Sequence, residues 1–158
     1  MIHIEPHPDF TETEVLVLAA RQALDHGIAG AGQFEDAAAG ATELTIVLTD
    51  DDQLRQLNRD YLGIDDVTDV LSFPASESDP DTGTVYMGDI LISLPRARQQ
   101  ALEAGHTLGQ ELQLLVVHGV LHLLGYDHAD AQEKSRMWQA QAVILGQLGL
   151  AEIKIQES

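Results

Sequence analysis

Histidines 118, 122 and 128 stand in the stretch HGVLHLLGYDH, four and six residues apart and set among leucines and valines. On a helix, residues i and i+4 lie one turn apart on one face, so His118 and His122 present neighbouring imidazoles. Gly125 breaks the helix, and the chain can turn back there to bring His128 to the same point. Two nitrogens from a helix and one from the following turn leave a fourth tetrahedral position open, the pattern of a catalytic zinc centre rather than a closed structural one. The plain alternative is three core histidines satisfied by hydrogen bonds. Each would then need its own buried partner among Leu114, Leu115, Val116, Val117, Leu121 and Leu123, whereas one cation answers all three. For a histidine standing alone, such as His26 or His106, the hydrogen-bonded reading is preferred. Imidazoles also suit nickel, copper or iron, so the residues favour zinc without excluding another divalent transition metal.

The spacing H-x-x-x-H-x-x-G-x-x-H is shared with the metzincin peptidases, in which a glutamate follows the first histidine and takes a proton from water at the metal. Here Gly119 holds that position, which weakens a peptidase reading. A glycine inside a helix costs about 1 kcal/mol relative to alanine, so it needs a reason. Close packing against a sheet, or room beside the metal, would supply one. Glu111 falls on the same helical face, seven residues before His118. It either orients a ligand from behind or is a first-turn acid favoured by the helix dipole. Asp127 is open between a supporting partner of the ligands, a proton acceptor and a turn residue.

These side chains need a frame. IHIE at 2–5 and ELTIVLT at 43–49 alternate as strands do. Thr11 and Glu14 read as a capping box opening a helix to about Asp25, stopped at Gly27. DDDQLRQLNRDYLG places Leu54, Leu57 and Tyr61 at helical spacing and ends on Gly63. Residues 68–74 read as a strand stopped by Pro74, and 84–93 as its partner after the turn-rich SESDPDTG. A helix follows from about Pro95. Thr107 with Gln110 caps the histidine helix, which carries through Leu124 to Gly125. Asp130 with Glu133 caps a last helix whose Met137, Ile144 and Leu148 share one stripe. The expected class is α+β, one domain over 1–158: a small mixed sheet packed with helices, the His-rich helix followed by a turn.

Composition bounds the rest. A chain of 158 residues can close one core without staples. There is no cysteine, which removes disulfides and thiolate ligands and is compatible with a reducing compartment. The opening MIHIEPHPDF has neither a basic nor an apolar signal region, and no run is long enough to span a bilayer, so a cytoplasmic protein without membrane contact is expected. Eight Lys and Arg against 26 Asp and Glu give a formal net charge of −18. Such a surface repels polyanions at long range. Arg55 with Arg59, and Arg96 with Arg98, are clustered, and surface ion pairs are their simplest explanation.

Taken together, HGVLHLLGYDH, LNRDYLGIDDVTDVLSFP at 57–74 and MGDILIS at 87–93 resemble the YbeY family of bacterial endoribonucleases and rRNA maturation factors. The resemblance covers roughly 43 to 148. It implies a zinc-dependent, single-strand-specific endoribonuclease that matures the 3′ end of small-subunit rRNA and serves ribosome quality control. It further implies His118, His122 and His128 as ligands of one metal at the head of a cleft, and rRNA with the ribosome or its proteins as partners. Many members carry an arginine directly after the tyrosine of the LN…Y stretch, thought to serve RNA cleavage. This chain has Leu62 there, and Arg59, just under one turn earlier, is the candidate to replace it. The competing readings are a zinc-braced, non-catalytic ribosome-assembly adaptor and, behind it, a metallopeptidase.

Overall fold

The computed structural model describes residues 2–31, 42–63, 68–126 and 130–152. In chain order these form β1 (Ile2–Glu5), α1 (Glu14–Ala31), β2 (Thr42–Thr49), α2 (Asp51–Leu62), β3 (Val70–Ser78), β4 (Val85–Ser93), α3 (Leu94–Ala104), α4 (Leu108–Leu123) and α5 (Ala131–Gln147). The sheet runs β1-β2-β4-β3, with β1, β2 and β4 parallel and β3 antiparallel to β4. This is the α+β class with a small mixed sheet that the element order predicts.

Alternation along β2 sends Leu44, Ile46 and Leu48 to one face, where they are buried with Met87, Ile90 and Ile92 of β4. That face packs on α1 and α4, with α5 behind them. On the other face, Leu54 of α2 meets Leu71 and Leu91, with Val47, Leu57 and Phe73 around them. Burying side chains on both faces is what parallel strands require.

Three boundaries differ from the sequence reading. β3 does not stop at Pro74 but continues to Ser78. It is an edge strand, so the missing proline N–H costs no ladder bond on its outer side, and the register shifts between Pro74 and Glu77. Opposite Pro74 sits Gly88 at φ 137°, where a Cβ would strike the Phe73 carbonyl oxygen. Helix α1 begins at Glu14, with the Thr13 carbonyl accepting from Leu16 and Val17, rather than from a Thr11 cap. It also runs through Gly27 to Ala31, because Gly27 is a contact point and not a stop: a Cβ there would lie 2.5 Å from Leu124 Cδ1. Tyr61, expected on the apolar stripe of α2, is 71% exposed and only edges onto Phe73, with ring centroids 5.8 Å apart.

Candidate metal centre

Helix α4 is built to hold its histidines still. Thr107 Oγ1 accepts from the Gln110 amide at 3.1 Å, and the Gln110 side chain accepts from the Thr107 amide at 2.9 Å, closing the expected capping box. Ten of its sixteen residues are buried, all from Glu111 onward, which makes α4 the central core helix. At its C-terminus, the Tyr126 amide donates to the Leu121 carbonyl and the Gly125 amide to that of His122, both at 3.0 Å. This Schellman pair needs a residue at positive φ, and Gly125 sits at 97°. The turn is then pinned to α1, since Tyr126 Oη donates to the Gly27 carbonyl at 3.3 Å, and Arg136 lies 5.6 Å over the tyrosine ring.

His118 and His122 come together as the i, i+4 spacing requires. Both are half-buried, with ring centroids 4.6 Å apart and their Nε2 atoms 3.0 Å apart. At 3.0 Å the two nitrogens stand at hydrogen-bond distance from each other. That is about 0.3 Å inside the roughly 3.3 Å that two nitrogens at about 2.0–2.1 Å from one tetrahedral zinc ion would keep, so the pair is compatible with a shared ion after a small outward shift. The other nitrogen of His118, Nδ1, meets Gln141 Oε1 of α5 at 3.1 Å. His128 and Asp127 lie outside the described residues. Among the described residues, no three His, Cys, Asp or Glu side chains gather into a metal site.

Gly119 turns its Cα to the sheet, where a Cβ would press on Ile90, and Ser72 Oγ donates to its carbonyl at 3.4 Å. The position therefore faces strands β3 and β4, and α4 offers no side chain there to serve as a peptidase base. Of the two reasons a glycine could stand there, close helix–sheet packing is the one the structure contains.

Glu111 is placed elsewhere. Its carboxylate receives His106 Nε2 at 2.6 Å, and the two side chains are only 5% and 6% exposed. The lone histidine thus has the hydrogen-bonded partner expected of it. Burial pushes the Glu111 carboxyl above its ordinary range; His106 pulls it back, and the nearby Asp69 charge raises it again. The residue that meets His118 is Gln141, which the sequence reading did not single out. A signal was available: Met137, Gln141, Ile144 and Leu148 fall at i, i+4, i+7 and i+11, so a carboxamide occupies the apolar stripe of α5.

One arginine of each cluster meets an acid. Arg59 lies in the last turn of α2 with its Nε 3.6 Å from Asp60, and Arg96 Nε is 3.9 Å from Asp51. Leu62, at the end of α2, is 56% exposed. No helix among the described residues is long and apolar enough to cross a membrane.

The profile of the family described as endoribonuclease YbeY matches residues 10–149. The endoribonuclease YbeY of Desulfitobacterium hafniense (strain Y51) is 42% identical over 133 residues, 80% of this chain and 84% of that one. Its counterpart from Geobacillus kaustophilus (strain HTA426) is 38% identical over 152 residues, covering 91% of this chain and 97% of the relative. A solution structure of a Thermotoga maritima protein superposes with a TM-score of 0.56 at 24% identity, over 100% of this chain and 99% of the other, a likeness of fold.

Proposed function

The chain belongs to the YbeY endoribonuclease family, and from that premise we propose that it is a zinc-dependent hydrolase cleaving single-stranded ribosomal RNA. Its substrate on this reading is the 3′ end of the small-subunit rRNA, and its setting is ribosome maturation and quality control in the cytoplasm. The observation that supports it best is the pair of Nε2 atoms of His118 and His122, brought to 3.0 Å on a helix capped at both ends. His128 completes the ligand set in this proposal.

Bound by three neutral imidazoles, zinc keeps its full charge and supplies Lewis-acid polarisation of a phosphoryl oxygen and activation of water. The chain's own groups do the remaining work. The capping box and the Schellman turn fix both ends of α4, the helix that carries the two rings. Gly119 supplies no base at the position after the first ligand, a loss that harms peptide hydrolysis more than cleavage of RNA, whose 2′-hydroxyl is an internal nucleophile. Arg59 is the candidate to contact a phosphate, in the role the family gives to an arginine three residues later. The surface charge of −18 opposes long-range attraction of RNA. Affinity is therefore expected to come from the metal locally and from a ribosomal partner.

The deciding experiment is cleavage of a single-stranded fragment spanning the small-subunit rRNA 3′ end by zinc-loaded protein, with folded His118→Ala protein alongside. Cleavage by the wild type alone is expected. Equal traces in both lanes would sink the nuclease reading and favour the zinc-braced adaptor.

A further inference from the structure

We propose that Gln141 is a positioning residue for His118, a role that rests on reading His118 as a metal ligand. Gln141 is 1% exposed and stands on the inward stripe of α5 with Met137 and Ile144, both buried. A leucine would fill such a site at no polar cost, whereas a buried carboxamide is unfavourable unless it is hydrogen-bonded. Its oxygen meets His118 Nδ1 at 3.1 Å. A carboxamide oxygen only accepts, so Nδ1 carries the proton. A neutral imidazole has one N–H, which leaves the lone pair on Nε2, the atom 3.0 Å from its counterpart on His122.

Gln141 thereby selects the tautomer and the ring rotation that turn His118 Nε2 toward a shared ion. Carboxylates commonly hold ligand histidines in this way. Here the buried carboxylate of α4, Glu111, is engaged by His106 instead. A neutral amide adds no negative charge behind the ligand, so a bound divalent cation keeps more of its pull on an anionic phosphodiester. In a chain of net charge −18 that matters more than usual.

The test uses the full chain as Gln141→Leu, Gln141→Met and Gln141→Glu, with two readouts. Zinc affinity is measured by competition with a chromophoric chelator, and the His118 tautomer by long-range proton–nitrogen NMR on the metal-free protein. Gln141→Leu and Gln141→Met should bind zinc 10–100-fold more weakly and shift the His118 proton from Nδ1 toward Nε2. Gln141→Glu, which keeps an accepting oxygen, should restore both. Unchanged affinity and tautomer in folded Gln141→Leu or Gln141→Met overturn the role of Gln141 alone. A wild-type chain that takes up no zinc overturns the metal reading beneath it, while the tautomer still reports whether Gln141 holds the ring.

Discussion

Gly119 of α4 lies so close to Ile90 of β4 that a Cβ built on it would stand 2.9 Å from Ile90 Cγ2 and 3.1 Å from Cδ1. Ile90 is fully buried and β-branched, so it cannot swing aside cheaply. Gly119→Ala should therefore destabilise by up to about 2 kcal/mol, an overpacking cost of about 1–3 kcal/mol set against a gain of about 1 kcal/mol in helix propensity. In an Ile90→Ala background the same change should be neutral or stabilising. Denaturant melts of the four proteins measure the coupling, and equal costs in both backgrounds would rule out this contact as the source.

Burial of Glu111 makes stability depend on pH. Glu111 titrates above its ordinary 4.5 in the folded chain, chiefly through burial. The folded chain thus holds a proton where the unfolded chain has released it. That contribution is fully present below pH 4.5 and is lost as pH rises through the elevated value. The stability difference between wild type and Glu111→Gln should fall as pH rises across this window. A difference that grows with pH would mean that pairing with His106 outweighs burial.

Zinc should stabilise the chain as well as activate it. At a hundredfold excess over its dissociation constant, a ligand of the folded state adds about 2.7 kcal/mol, or roughly 5–10 °C in Tm for a domain of this size. Chelator should remove the increment, and His118→Ala, His122→Ala and His128→Ala should lack it. Full retention of the shift in His128→Ala would take that residue out of the ligand set.

Arg59 is 55% exposed in its side chain and paired only with its neighbour Asp60 among the ion pairs described. Arg59→Ala should change stability by no more than about 0.5 kcal/mol, the usual range for such a surface site. Slowed RNA cleavage in this variant, with unchanged zinc binding, would assign it to substrate. Wild-type cleavage would leave the residue after the tyrosine, Leu62, as a position this chain does without.

Much of the frame was legible because its signals are local. The Thr107–Gln110 box, the stop at Gly125, the Asp130 cap and the alternation of Leu44, Ile46 and Leu48 each appear within a few residues, and the structure contains all of them. The i, i+4 spacing likewise brings His118 and His122 together through helix geometry alone. The strand through Pro74 and the helix through Gly27 were not legible. A proline reads as a stop until the strand is known to be at an edge, and a glycine reads as a stop until another helix is found against it.

The sequence by itself determined the elements, the mixed sheet, the family and the pairing of two imidazoles on one helix face, because periodicity, capping and motif are all encoded over short spans. Only the tertiary structure decided whom the buried polar groups meet. Gln141 reaches His118 across 23 positions, Tyr126 reaches Gly27 across 99, and Ser72 reaches Gly119 across 47. Glu111, equally placed by spacing to support His118, turns to His106 five residues away. Helical spacing places a residue on a face, but its partner depends on which other element packs there, and that is set by how the whole core closes.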